Sequence, residues 1–280
     1  DLSGHYIVCG IGRVGGYVAD ELLKTERPFV VIDIDSETLD AHEERTGHRL
    51  RLHGDAADDE VLARAGVGRA AGVFAVTGDF YSHQVEKKIF IPLGMQHATF
   101  GRDALMANAS WAKPHVFSGK SWVATVPNEN YYHVPPAAGV NASIQDMAIW
   151  LNAQLGHHPD VLSPGLLAKI QTPQVNTPGE LRSSGWRHDR LSKASYALGW
   201  RVFTYQGRTM VFHGGAVRGY RGLVAFLPEQ DTGIAVLWNS ESASPSAFLP
   251  TWMDRALGVQ GKDWLGLNDA ADESAEAAQD

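Results

Sequence analysis

The stretch Tyr6-Ile7-Val8-Cys9-Gly10-Ile11-Gly12-Arg13-Val14-Gly15 decides how the first part of this chain folds. Four apolar-rich residues precede the glycines, and a helical pattern follows them to about Lys24. A second apolar run, Phe29-Val30-Val31-Ile32, ends in Asp33. Strand, glycine turn, helix, strand and acid stand in the order that binding of a nucleotide requires. Gly10 permits the tight turn, Gly12 lets the backbone approach a pyrophosphate, and Gly15 lets the helix sit close to the sheet. The helix start offers free N–H groups and a positive dipole end to phosphate. Asp33 can accept from ribose hydroxyls. The other reading of the same residues is a plain glycine turn with Asp33 as a solvated strand end.

Outward from this stretch the alternation continues. Ser36 is the expected N-cap of an acid-rich helix over 37–45. Residues 50–52 read as a third strand leading into His53-Gly54-Asp55-Ala56, residues 58–65 as a helix closed by Gly66, and residues 72–76 as a fourth strand. Strands alternating with helices of this length predict a parallel sheet with helices on its faces. The rhythm stops near Thr77.

From Phe80 the pattern changes. Residues 85–91 read as a short helix ending at Pro92-Leu93-Gly94-Met95, followed by a long irregular stretch through Trp111, Pro114, Pro127 and Pro135-Pro136. Ser143 and Asp146 form a capping box for a helix that places Ile144, Met147, Ala148, Leu151 and Leu155 on one face before Gly156. Another short helix spans 162–170. Residues 196–205, 209–213, 222–227 and 233–238 are β-rich runs, separated by Gln206-Gly207, a glycine-rich turn after His213, and Pro228-Glu229-Gln230-Asp231. Short connections predict an antiparallel sheet, with a helix over 247–257 packed on it. The acidic tail 269–280 reads as disordered.

Composition narrows the function classes. A chain of 280 residues accommodates two ordinary domains, and a net charge of −8 argues against nucleic acid or an anionic membrane as partner. Cys9 is the single cysteine, so an intrachain disulfide framework and a Cys-based zinc cluster are excluded. Its place in the first strand makes it core packing. No apolar stretch approaches the ~20 residues of a membrane helix, so membrane insertion is not expected. The chain opens at Asp1 without Met or a signal-like segment, which reads as an excised or processed piece.

Two resemblances follow from these residues. The glycine turn, Val31-Ile32-Asp33-Ile34-Asp35, Gly54-Asp55-Ala56 and Ala65-Gly66-Val67 resemble the nucleotide-binding domain that regulates potassium channels and transporters, over about residues 3–77. That resemblance implies phosphate contacts for Gly10, Gly12 and Gly15, ribose contact for Asp33, and a place beside the base for Gly54 and Asp55. The ligand it implies is NAD or another adenine nucleotide. No pore and no substrate-reduction site accompanies the fingerprint, so it does not argue for a dehydrogenase. Further strands and helices that complete the module and build its dimer face in that family do not follow here.

The ordered set Ile89-Phe90-Ile91-Pro92-Leu93-Gly94-Met95, Ala138-Gly139-Val140-Asn141-Ala142-Ser143, Asp146-Met147-Ala148, Gly199-Trp200 and His213-Gly214-Gly215 resembles the serine β-lactamase and penicillin-binding-protein superfamily, nearest its class C and esterase-like branch, over about 78–267. It implies that His213, Gly214 and Gly215 wall an active site, with His213 toward substrate and the following backbone toward an acyl carbonyl. The fold expected is therefore a partial Rossmann-type α/β parallel sheet over 1–77, followed by an α+β, β-lactamase-like portion with an antiparallel sheet over 78–268.

The second resemblance departs from its family where the chemistry starts. The Ser-x-x-Lys helix and the Tyr-x-Asn element that family uses precede Pro-Leu-Gly-Met, and here the nucleotide-type module occupies that place. An unassisted serine hydroxyl is a poor nucleophile at neutral pH. Ser110-Trp111-Ala112-Lys113 has the spacing, but Pro114 disfavours helix at Lys113 and the segment lies downstream of the expected position. Tyr81-Ser82-His83 carries His where Asn is required. Three readings remain: a nucleotide-binding regulatory module joined to a catalytically incomplete hydrolase scaffold; a serine hydrolase acting on amides or esters; and a fusion joined near Thr77–Asp79 without physiological function. Both modules are truncated relative to their families, so self-association is expected. The first resemblance implies the cytoplasm and the second a site beyond it, so the compartment stays open.

Overall fold

The computed structural model describes residues 2–76 and 81–266. The junction at Thr77–Asp79 and the acidic tail lie outside the described residues. Contacts divide the chain into two compact units, Asp1–Gln84 and Val85–Asp280.

In the first unit β1 (Tyr6–Cys9), α1 (Arg13–Lys24), β2 (Phe29–Asp33), α2 (Ser36–Thr46), β3 (Arg51–His53), α3 (Asp59–Arg64) and β4 (Gly72–Ala75) succeed one another. The strands form a parallel sheet in the order β3-β2-β1-β4. Both faces are apolar, as a parallel sheet with helices on either side requires. Val8, Phe29 and Val31 pack with Ala19 and Leu22 of α1 and Leu39 of α2. Ile7, Cys9, Val30 and Ile32 pack with Val61 of α3. Burial pushes the Cys9 thiol up, in keeping with a packing role. One boundary needs correcting. The cap of α2 is Asp35, whose carboxylate accepts from Glu37 N–H at 3.0 Å, and Ser36 is the first helical residue. Asp35 also takes the Thr38 hydroxyl at 2.8 Å, a second bond that Ser36 in the same place could not complete with equal charge.

The chain continues in a helical run: α4 (Tyr81–Val85) leads into a π turn, Glu86–Phe90, and then α5 (Ile91–Leu93), closed by left-handed Gly94. The run starts earlier than expected, at Tyr81, and ends within the expected Pro92-Leu93-Gly94-Met95 segment. A wider π turn frees the carbonyls that a proline cannot bond, so the chain absorbs Pro92 without breaking. The stretch expected to be irregular contains short elements: β5 (Thr99–Phe100), α6 (Arg102–Ala107), β6 (His115–Phe117), β7 (Trp122–Ala124), α7 (Pro135–Ala138) and β8 (Val140–Asn141). α8 (Ile144–Gln154) has the capping box in full, Ser143 and Asp146 each bonding the other's backbone N–H.

After α9 (Pro164–Gln171), β9 (Val175–Asn176) and α10 (Gly185–Arg190), the chain builds β10 (Leu191–Tyr196), β11 (Arg201–Tyr205), β12 (Arg208–Val217), β13 (Tyr220–Leu227) and β14 (Thr232–Trp238), and ends in α11 (Phe248–Ala256). These strands form an antiparallel sheet in the order β14-β13-β12-β11-β10-β9. Two expectations are corrected here. Residues 196–205 are not one strand, because Gly199 (φ 83°) turns the chain between β10 and β11. No turn follows His213: Gly214 pairs with Leu223 and Gly215 with Gly222, and β12 runs on to Val217.

One face of this sheet carries Phe203, Met210, Phe212 and Ala225 against Leu249 and Met253 of α11. The other carries Val202, Val211, Val224 and Phe226 against Leu151 of α8. α11 is also fixed by a buried carboxylate. Asp254 accepts from Tyr205 Oη at 2.6 Å, Arg190 Nη2 at 2.9 Å and Trp264 Nε1 at 2.8 Å. Three donors, one of them cationic, offset the desolvation of that charge. α8 does not bury the single face expected. Ile144 and Ala148 are exposed, while Ala153 sits in a separate cluster with Phe90, Leu93 and Met95.

Candidate functional site

Two places collect the predicted site residues, one in each unit. In the first, β1 ends in a turn whose glycines are fixed by contact. A Cβ on Gly10 (φ 90°) would lie 2.2 Å from the Val76 carbonyl oxygen, and one on Gly15 would lie 1.8 Å from the Gly10 oxygen. Gly15 therefore lets α1 pack against the turn. At Gly12 a Cβ would meet nothing within 4 Å, so the fold itself does not demand glycine there and the space above that backbone is open. Gly12 is the N-cap of α1 and supplies no side-chain cap, and no acid occupies the first turn. The first N–H groups of α1 thus keep their capacity for an anion.

Asp33 stands across from this turn at the end of β2. Its Oδ2 accepts from Ile11 N–H at 2.6 Å and its Oδ1 from Asp35 N–H at 2.9 Å. These bonds fix the carboxylate, and an ionised carboxylate has roughly four acceptor positions, so acceptor capacity remains for hydroxyls. Sequence reading missed the Ile11 bond. Its only signal is that an acid ending β2 must face the β1 turn beside it. Gly54 N–H donates to the Asp33 carbonyl at 3.0 Å, which brings the Gly54-Asp55 turn alongside. A Cβ on Gly54 would approach Val61 Cγ2 to 2.9 Å. Asp55 turns one oxygen inward to Ala57 N–H at 2.8 Å, so it holds its own loop. The residues present fit an adenine nucleotide: an uncapped helix start, open backbone at Gly12, and a positioned carboxylate.

In the second unit the residues His213, Gly214 and Gly215 lie in mid-strand. β11 pairs with β12 as far as Arg201 opposite Phe212, whereas β13 pairs with β12 as far as Tyr220 opposite Val217. From His213 onward β12 therefore has one strand neighbour only, and its other edge bears no strand among the described residues. Tyr196 Oη lies 3.2 Å from His213 Nε2, the two rings meeting edge to face at 6.3 Å. Burial holds the His213 imidazole below its ordinary pKa, the Arg201 guanidinium acts in the same direction, and the Gly214 backbone opposes them. A neutral ring is the result near neutral pH. Arg201 lies over the Tyr196 ring at 5.8 Å and pairs with Glu180 at 3.5 Å; Glu180 also bonds Arg187. Tyr196 and Arg201 were missed from sequence, because the turn that folds them toward β12 carries apolar residues.

The alternative nucleophile pair does not lie on a helix. Ser110 and Lys113 follow the end of α6 in irregular backbone, both exposed. Ser110 N–H is bonded to Asn108 Oδ1 at 2.9 Å and the Lys113 carbonyl to Asn239 Nδ2 at 2.8 Å. Ser-x-x-Lys places its two side chains together only on a helix. Tyr81 and His83 lie in α4.

The beta-lactamase family profile matches residues 65–257, and the TrkA-N domain profile matches residues 6–92. The unguisins hydrolase ungD' of Aspergillus campestris is 29% identical over 179 residues, which is 63% of this chain and 32% of that protein. Potassium channel protein 1 of Methanocaldococcus jannaschii is 39% identical over 75 residues, 27% of this chain and 22% of that protein. The chain thus spans about a third or less of either relative. Among solved structures, the octameric penicillin-binding protein homologue from Pyrococcus abyssi superposes with a TM-score of 0.59 at 22% identity, covering 82% of this chain and 49% of that one. That likeness concerns the fold. With its TrkA-N domain at the N-terminus and the β-lactamase-type antiparallel sheet behind it, the chain belongs to the beta-lactamase family.

Proposed function

We propose that the first unit binds an adenine nucleotide, NAD being the foremost candidate, and that the second unit is a β-lactamase-type scaffold that holds an acyl or peptide-like ligand without hydrolysing it. The observation that carries the first half is the open backbone at Gly12 beside an uncapped helix start, facing a carboxylate already fixed by Ile11 N–H. Gly12 and the first turn of α1 hold phosphate, Asp33 holds ribose, and Gly54 and Asp55 border the base. The nucleotide supplies charge and rigidity; this chain's residues bind and orient it. Calorimetry with NAD, NADH, ATP and ADP tests the reading. Binding should be measurable and lost in Gly12→Val, whose side chain fills the approach to phosphate. No heat with any of the four at millimolar concentration would refute it.

The second half rests on what acyl transfer needs: a nucleophile, a proton acceptor and oxyanion donors held together. His213-Gly214-Gly215 offers a polar, one-sided strand, while Ser110 and Lys113 sit in irregular backbone. A fluorophosphonate or penicillin probe should leave the intact mass of this chain unchanged. The hydrolase reading draws its support from the family membership and from relatives that are themselves hydrolases. Stoichiometric labelling would establish it, and labelling at Ser110 that vanished with Lys113→Ala would identify the pair responsible.

A further inference from the structure

α10 has six residues and no side-chain cap, and a helix that short does not hold its own position. Side chains on it set its place. Arg187 and Arg190, three residues apart, share one face. Arg190 Nη2 donates to Asp254 Oδ2 at 2.9 Å and to the Gln260 carbonyl at 2.7 Å. Arg187 Nη1 donates to Glu180 and, at 2.7 Å, to Ser183 Oγ. The Nε atoms of both arginines are buried without a hydrogen-bond partner among the described residues, so each guanidinium rests on its terminal nitrogens. Trp186 adds a ring contact with Tyr205 at 6.2 Å.

The segment that follows α11 covers one of these anchors. Residues 258–266 are all exposed or half-buried, so apolar burial does little to hold them, and polar contacts do the rest. Trp264 Nε1 donates to Asp254 Oδ2 at 2.8 Å, and the Arg190 guanidinium lies over the Trp264 ring at 5.5 Å. Lys262 Nζ stands at 5.5 Å from the same ring and pairs with Asp189 at 2.5 Å. Val259 N–H donates to the Asp254 carbonyl at 2.8 Å. With this segment lifted, the Asp254 carboxylate keeps only Tyr205 and Arg190 as donors, and Arg190 loses both the Gln260 carbonyl and the ring. Bonds to charged groups are the stronger ones, but at the surface water replaces them. The segment can therefore open without unpacking the core.

The other anchor of α10 leads to His213. Glu180 takes Arg187 and stands 3.5 Å from Arg201 Nε, Arg201 lies over the Tyr196 ring at 5.8 Å, and Tyr196 Oη is 3.2 Å from His213 Nε2. We propose that residues 258–266 are a regulatory clasp. Docked, they fix α10 and through Glu180 hold Arg201 and Tyr196 against His213. Lifted, they free α10 and leave the His213 ring without a fixed partner. Trp264, Arg190, Arg187 and Glu180 are positioning residues here, acting on His213 through Tyr196. An event that lifts Trp264 is thereby read at the open edge of β12.

Contiguity alone does not establish coupling between two places, so both ends are measured. In the full chain, amide exchange followed by mass spectrometry and the nitrogen chemical shifts of His213 are compared between the natural protein and Trp264→Ala. Exchange of residues 185–190 should quicken by about tenfold or more, while β13 and α8 keep their natural rates. The two tautomers of His213 should mix in the same variant. Trp264→Phe keeps a ring beside Arg190 and removes the N–H, so it should give a smaller change of the same kind; it carries the test if Trp264→Ala does not fold. Quickening confined to 258–266, an equal rise across the whole unit, or a His213 ring that keeps its tautomer while α10 loosens would each overturn the proposal.

Discussion

The turn at residues 10–15 and the strand segment at 213–215 are both bare backbone beside a buried strand, but glycine occupies them for different reasons. In the turn, two of the three glycines are enforced from inside: a Cβ at Gly10 or Gly15 would overlap a carbonyl oxygen at 2.2 or 1.8 Å. In the strand, a Cβ on Gly214 would meet Phe212 at an ordinary 3.6 Å, and one on Gly215 would come no nearer than 4.0 Å to Gly222 oxygen. Gly10 and Gly15 are glycine because the fold leaves no room for a Cβ. The second set is not required by the space around it.

That contrast can be broken by substitution, and the largest effect lies on the turn. Gly15→Val drives a branched side chain into the Gly10 carbonyl and cannot be relieved without lifting α1 from the sheet. The expected loss is more than about 3 kcal/mol for the first unit, seen as a lowered first thermal transition. Gly214→Ala adds one methyl against Phe212 and should change stability by less than about 1 kcal/mol. Equal losses from the two variants would show that both glycine sets are structural.

The difference also explains how much could be read in advance. The alternation of strands and helices in the first unit follows from signals only a few residues apart, so its parallel sheet could be read from a short window. In the second unit the decisive contacts are distant. Gly214-Gly215 has the local signature of a turn, and only pairing with Leu223 and Gly222 keeps it extended. The turn at Ala197-Leu198-Gly199-Trp200 is hidden among apolar residues, so β10 and β11 merge into one apparent strand. The α8 stripe fails for a related reason. Leu151 faces the sheet while Ala153 faces Phe90 and Leu93, and two partners on different sides defeat a one-face pattern.

A smaller effect is read through pH. In the first unit burial pushes both His42 and His48 below their ordinary values; Arg45 and the neighbouring His48 add to this at His42, with Asp20 opposing, while the Phe29 and Leu50 backbone opposes it at His48. Arg45 is held at Asp20 of α1, and the His48 ring stacks on Phe29 at 3.9 Å. The folded unit keeps these rings neutral, while the unfolded chain takes up protons near pH ~6.5. Their contribution to stability is therefore complete above about pH 6.5 and declines as the pH falls, ending once the folded rings themselves protonate. Melting curves from pH 8 to pH 5 should show the first unit weakening through this window. His42→Gln should flatten the decline, and an unchanged slope would locate the titrating groups elsewhere.

The smallest expected effect addresses the strand, where glycine gave no structural reason. Tyr196 Oη is within hydrogen-bond distance of His213 Nε2. A hydroxyl that donates there leaves the single proton of the neutral ring on Nδ1. Tyr196 is on this reading a positioning residue, fixing which nitrogen of His213 can accept. Tyr196→Phe keeps the ring and its edge contact but removes the hydroxyl, at a cost of about 1 kcal/mol, close to the noise of a melting curve. Stability is thus the wrong readout. Nitrogen chemical shifts of His213 distinguish the tautomers directly, and the natural chain should report the Nδ1–H form across neutral pH. In Tyr196→Phe the two forms should mix, while His157, which bonds Asp231 at 2.7 Å elsewhere in the unit, stays as it was. If His213 keeps the same tautomer without the hydroxyl, its orientation comes from the strand backbone alone, and the second glycine-rich segment, like the first, is set by the fold.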